Sequence, residues 1–229
     1  MKNYSITLPS YSIGDNVYSK IGEICEPYGK KVICIGGKTA ISKVRDLIIN
    51  ECNGTSLEIL DFLWYGGDAT YENVNTLKEN ELVKKADIIF GIGGGKALDT
   101  AKALAYITNK EIFTFPTIAS NCAGTTAVSI MYNADGSFKE PFFFTAPARH
   151  CFIYTPVIAK SPAKYMWAGI GDTYAKYFEA EMSSRGEDLV HYHALGVTTS
   201  QMCLTPLLKY GKKALDDFKS GTASFEVCL

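Results

Sequence analysis

Histidine is scarce in this sequence, at three in 229 residues, and the seven cysteines include no C-x-x-C pair. A structural zinc knuckle needs clustered thiol and imidazole ligands, and a disulfide framework needs paired thiols; neither is expected here. Most of the scattered thiols should instead serve as small buried hydrophobes. No run of five basic residues occurs, and 23 Lys and Arg stand against 24 Asp and Glu, for a formal net charge of −1. That balance predicts no nucleic-acid partner and no membrane-surface partner, because phosphate backbones and anionic lipid demand a concentrated cationic excess. There is no membrane-length apolar stretch, and the start, MKNYSITLPSYSIGDN, lacks an apolar core of the secretory kind. The expectation is a cytoplasmic protein. Internal repeats and low-complexity tracts are also missing.

What is present is an ordinary globular balance, 47% hydrophobic and 21% charged, in a length that suits one large α/β domain or one domain and part of a second. From Lys31 to about Thr117 short apolar runs alternate with longer amphipathic ones, the pattern of βαβ units and a parallel sheet. KVICIGG (31–37), LEILDFL (57–63), DIIFGIGGG (87–95) and IFTFPT (112–117) read as strands, the last stopped by Pro116. Residues 38–50, 71–85 and 96–108 read as the intervening helices. Beyond Pro116, NADG (133–136) predicts a hairpin between TAVSIMY and SFKEPFFF, a β excursion closed by the short strand CFIYT (151–155). From Pro162 the sequence favours helix almost to the end, as AKYMWAGIGDTYAKYFEAEMSS and then roughly 189–219. A domain boundary is placed near 160, giving a first domain over 1–160 and an incomplete helical one over 161–229.

The strongest local signal is Gly91-Ile92-Gly93-Gly94-Gly95-Lys96, between a strand and a helix. Glycines there let a backbone approach a phosphate, and the helix N-terminus stabilises its charge. The spacing is neither the usual dinucleotide fingerprint, whose third glycine would replace Lys96, nor a Walker A loop, and a plain tight turn is the alternative. Gly36 and Gly37 form a second turn that could line the same crevice with Pro116 and Thr117, or be ordinary turn chemistry. Asp172, after Gly-Ile-Gly, is either a helix N-cap or a ligand presented at a helix start. His191 and His193 stand two apart on a predicted helix and diverge, so they read as two polar positions rather than a metal pair. His150 reads as a loop residue. A Cys-His pairing through Cys122 or Cys151 has no supporting spacing.

Taken together, GIGGGKALDTAKALA (91–105), FPTIAS (115–120), AVSIMYNADGSFKE (127–140) and AGIGDTYAKYFEA (168–180) resemble the glycerol dehydrogenase-like branch of the iron-containing, metal-dependent alcohol dehydrogenase superfamily. The resemblance implies a Rossmann-like, doubly wound parallel sheet with a hairpin excursion, followed by part of an all-helical domain of the dehydroquinate synthase-like kind. It implies an NAD- or NADP-dependent oxidoreductase acting on an alcohol or polyol, with assembly into a homo-oligomer. By motif position Gly93, Gly94, Gly95, Lys96 and Asp99 would hold the pyrophosphate and nicotinamide ribose. Thr117 and Ser120 would contact the cofactor from the turn after the fourth strand, and Thr126, Val128 and Tyr132 would line the nicotinamide side. Asp172 would ligate a catalytic zinc or iron, which polarises the substrate hydroxyl.

Three departures qualify what is carried over. Cys122 stands where glycerol dehydrogenases bear an aspartate that meets substrate hydroxyls, which weighs against glycerol. Gly37 stands where the family often has a ribose-binding acid, so NADP should be tolerated. The two histidines that would complete the metal site have no counterpart before Leu229, and FKSGTASFEVCL reads as the start of a further helix bearing Phe225, Val227 and Leu229. The expectation is a truncated chain with weak metal binding and little turnover. A phosphopolyol oxidoreductase, with Arg149 and Lys139 as its basic residues, and a non-catalytic nucleotide-binding remnant are the alternatives.

Overall fold

The computed structural model describes residues 5–221; Phe225, Val227 and Leu229, read as part of a further helix, lie outside the described residues. In chain order the elements are β1 (Tyr11–Gly14), α1 (Ile21–Cys25), β2 (Lys31–Gly36), α2 (Lys38–Cys52), β3 (Glu58–Trp64), α3 (Tyr71–Lys78), α4 (Glu81–Lys85) and β4 (Ile88–Gly93). There follow α5 (Gly95–Thr108), β5 (Glu111–Pro116), β6 (Val128–Tyr132), β7 (Phe138–Phe143), β8 (His150–Tyr154), α6 (Thr155–Ala159), α7 (Ala163–Ser184), α8 (His191–Ser200) and α9 (Thr205–Lys219). Six strands form one sheet in the order β1-β8-β5-β4-β2-β3, all paired in parallel. β4 is buried at every residue, as a central parallel strand covered on both faces must be, which is why its sequence is an unbroken apolar run.

Every residue of α5 from Ala97 to Ala105 is buried. Its alanines let the helix lie close to the sheet: a Cβ on Gly91 of β4 would stand 2.9 Å from the Ala101 methyl. Its Leu104 joins Ile33, Ile35, Ile89 and Met131 in a core cluster with Val74 and Leu77 of α3. β6 and β7 make a separate antiparallel hairpin.

Several elements differ from their sequence reading. Residues 71–85 form two helices rather than one, because the Asn80 side chain accepts N–H bonds from Leu82 (2.8 Å) and Val83 (3.4 Å) and so caps a new helix. CFIYT does not close the hairpin excursion; as β8 it enters the main sheet between β5 and β1. β1 had no signal in its four residues. It is fastened by His150, a loop residue in the sequence reading, which opens β8 and lies buried between two hydroxyls. The Ser10 hydroxyl is 2.7 Å from Nδ1 and that of Ser12 is 3.0 Å from Nε2.

The described residues divide into two compact units, 7–118 with 122–158, and 159–221 with 5–6 and 119–121. This differs from a single cut near 160, since 119–121 leaves the sheet unit for the helical one. The cause is local: a Cβ on Gly169 would collide with the Ala119 carbonyl, so glycine there lets α7 rest directly on that segment. Within the helical unit Met166 of α7 and Phe218 of α9 are buried together, with Ile170 and Leu215 against them. Among the described residues no helix is long and apolar enough to cross a membrane.

Candidate functional site

β2, β4 and β5 all end at the same side of the sheet, the side where open parallel sheets receive ligands. Their turns are laced together there: the Gly37 N–H donates to the Ile92 carbonyl at 3.3 Å, and the Thr117 N–H to the Gly93 carbonyl at 3.1 Å. Gly93 has φ 143°, a value side chains rarely adopt, and a Cβ on Gly94 would stand 2.5 Å from Ile118 Cδ1. Gly94 is the N-cap of α5 and offers no side chain to its orphan donors. The N–H groups of the first turn, beginning at Gly95, have no intrahelical acceptor and carry the positive end of the helix dipole. An anionic group is the complement of such a turn.

Lys96 follows directly. Its ammonium lies 2.6 Å from Asp68 Oδ2 and 4.8 Å from the centre of the Tyr132 ring. The hydrogen bond that the ammonium donates to Asp68 holds the lysine's pKa above its usual value, so the group stays cationic.

Asp99, Thr126 and Val128 are brought together by one buried lysine. Asp99 is 7% exposed, and its Oδ1 sits 3.0 Å from the ammonium of the still more deeply buried Lys102. Lys102 also donates to the Val128 carbonyl at 2.6 Å and reaches the Thr126 hydroxyl at 3.3 Å. The Ile130 N–H donates to Asp99 Oδ2 at 3.2 Å, and the Ser129 hydroxyl to the Asp99 carbonyl at 2.9 Å. Burial pushes the Asp99 acid up and the Lys102 ammonium down, and their mutual attraction opposes both shifts. These residues make the joint between α5 and the hairpin.

Cys122 is exposed, in a loop where its carbonyl accepts the Thr125 N–H at 3.0 Å. Cys151 is buried on β8, its thiol pushed up to about 11 chiefly by desolvation, which is contrary to a nucleophile's needs. Arg149 and Lys139, the basic residues proposed for a phosphorylated substrate, are engaged elsewhere. Arg149 pairs with Glu111 at 2.5 Å across the starts of β8 and β5, the opposite end of the sheet from the glycine turns. Lys139 lies over the Tyr71 ring.

Ser120 and Asp172 belong to the helical unit. Asp172 is not an N-cap: α7 begins after Pro162 and runs on through Gly169 and Gly171. Its carboxylate is 3.5 Å from the Lys176 ammonium one turn later. Gly169 brings Ser120 against this same helix, with the Ser120 Cα 3.4 Å from the position of a Cβ there. His191 and His193 are exposed in the first turn of α8. Among the described residues no group of three His, Cys, Asp or Glu could hold a metal ion.

Two residues of this site escaped the sequence reading. Lys102 left a signal, a lysine three positions after an aspartate inside an otherwise apolar helix, where only a buried pair is tolerable. Asp68 left none, since an acid after Gly66-Gly67 resembles any turn residue.

A family model described as iron-containing alcohol dehydrogenase matches residues 9–151. A glycerol dehydrogenase of Escherichia coli is 28% identical over 209 residues, covering 90% of this chain and 57% of that protein. A glycerol dehydrogenase of Thermotoga maritima is 36% identical over 169 residues, covering 71% of this chain and 46% of that protein. The crystal structure of a probable glycerol dehydrogenase from Sinorhizobium meliloti superposes with a TM-score of 0.85 at 24% identity, over 98% of this chain and 63% of that one. The chain thus spans about half the length of the curated relatives it matches. The family match runs from the start of the sheet through the glycine turn and the hairpin into β8, and on that ground the chain belongs to the iron-containing alcohol dehydrogenase family.

Proposed function

We propose that this chain carries the nucleotide-binding part of an NAD(P)-dependent oxidoreductase acting on the CH–OH group of an alcohol or polyol. The observation that supports it most is the convergence of three turns at one end of the sheet, with α5 starting at a glycine cap among them. Gly93, Gly94, Gly95 and Lys96 would receive the pyrophosphate, with Gly37 and Thr117 on either side and Tyr132 beyond Lys96. Held by these residues, a nicotinamide would supply the hydride-transfer chemistry for a carbinol carbon. The sheet unit's task is to hold and orient it. Relatives named glycerol dehydrogenase, glycolaldehyde reductase and hydroxycarboxylate dehydrogenase favour a small hydroxylated substrate, as a class.

Zinc or iron, the other group that the family resemblance implies, does not fit the described residues as a complete site. Asp172 has a lysine at 3.5 Å and no second ligand grouped with it among them, so no step is derived through a metal. The same observation favours a second reading, a nucleotide-binding protein without turnover. Alcohol-dependent reduction of NAD(P) by the purified chain separates the two.

The coenzyme preference is open to a direct test. Gly37 has ordinary extended backbone (φ −75°, ψ 142°), and a Cβ there meets nothing nearer than 3.8 Å. Gly37→Asp therefore fits without strain and restores an acid beside the expected ribose. Titration with both reduced coenzymes should give similar Kd values for the unaltered chain. In G37D the NADPH Kd should rise about tenfold, the equivalent of roughly 1.4 kcal/mol, with NADH little changed. A strong preference of the unaltered chain for NADH would overturn NADP tolerance.

A further inference from the structure

The loop after β3 is built more firmly than a connection requires. Gly66 and Gly67 both have φ near +100°, and a Cβ on Gly66 would collide with the Asn73 side chain. Asn73 Nδ2 donates to the Asp68 carbonyl at 2.8 Å, the Tyr65 hydroxyl donates to the Gly67 carbonyl at 2.7 Å, and the Tyr65 N–H donates to the Gly36 carbonyl at 3.1 Å. The loop is thus tied at one end to the turn after β2 and at the other to α3.

Its output is two contacts on one cation. Asp68 Oδ1 accepts the Ala69 N–H at 2.8 Å, which fixes the carboxylate while Oδ2 grips the Lys96 ammonium at 2.6 Å. The Ala69 carbonyl accepts the Tyr132 N–H at 2.8 Å, holding the ring over which the same ammonium lies. A free lysine at a helix start would sample many rotamers. Here two adjacent loop residues locate both of its neighbours.

We propose that Asp68 is a positioning residue, which holds the Lys96 ammonium beside the glycine turn in the orientation that receives the coenzyme's phosphates. This rests on the nucleotide-binding reading above. The electrostatic sign makes it testable, because an acid near a pyrophosphate is repulsive in itself. Removing Asp68 should tighten binding if the carboxylate acts only through its charge, and weaken binding if it acts by placing Lys96.

The test is NADH titration of the unaltered chain, Asp68→Asn, Lys96→Met and the double variant, at low and moderate salt, with thermal melting to confirm folding. Asparagine keeps an acceptor for the Ala69 N–H, and Asp68→Glu serves as a second variant that keeps the charge but moves it. The expected result is a rise in Kd of about fivefold for D68N, an ion-pair-sized effect. D68E should also weaken binding, and D68N should have no effect in the Lys96→Met background. Equal or tighter NADH binding by D68N, or an equal loss with and without Lys96, would overturn the positioning role alone. Failure of the unaltered chain to bind NADH overturns the nucleotide-binding reading, and this inference with it.

Discussion

At the scale of single residues, the structure gives several polar side chains structural tasks that their sequence context concealed. His150 is the clearest. It lies between Ser10 and Ser12, with burial, then the nearby Lys20, lowering its pKa from the usual 6.5. A base with a lowered folded value takes up its proton first in the unfolded chain, so acidification favours unfolding. This contribution is whole above about pH 6.5 and is lost as pH falls through the folded value. Urea midpoints measured between about pH 7.5 and 5.5 should therefore fall on acidification, and the fall should be shallower in His150→Gln. An unchanged slope in the variant would remove His150 from the account. Asp172 teaches a related lesson. Gly-Ile-Gly before an acid is a reasonable helix-start pattern, yet here Gly169 serves close packing against the Ala119 carbonyl, and the helix runs through it.

At the scale of elements, legibility followed burial. β4 and β2, the latter after its exposed Lys31, were readable because a strand stretch covered on both faces must be apolar, and their glycines mark where the backbone turns into a helix. β1 was not, because YSIG is too short to show a period and is held by side chains distant in sequence. The joint between α5 and the hairpin is a second long-range feature. Lys102→Met would leave the Asp99 carboxylate buried without its counterion and the Val128 carbonyl without its donor. It should cost about 3–5 kcal/mol of stability, read as a lowered denaturant midpoint. Adding Asp99→Asn should recover part of that loss. A cost below about 1 kcal/mol would mean that the pair is not the joint described.

For the whole molecule, the parallel sheet and the helical segment were legible because their apolar periods differ, and the family followed from four motifs in order along the chain. The Asp68–Lys96–Tyr132 grouping was not, because it joins three separate elements, and no local pattern records which loops a sheet brings together. The turn at Gly93–Gly95 is proposed to hold a nicotinamide coenzyme. The most direct test is an NADH titration followed by coenzyme fluorescence, on the unaltered chain and on Gly94→Val, whose branched side chain would fill the turn and press on Ile118. The account predicts saturable binding at one site per chain, weakened at least about tenfold in a G94V variant that still melts cooperatively. NADH binding undisturbed by that substitution, or no binding by the unaltered chain, would contradict it.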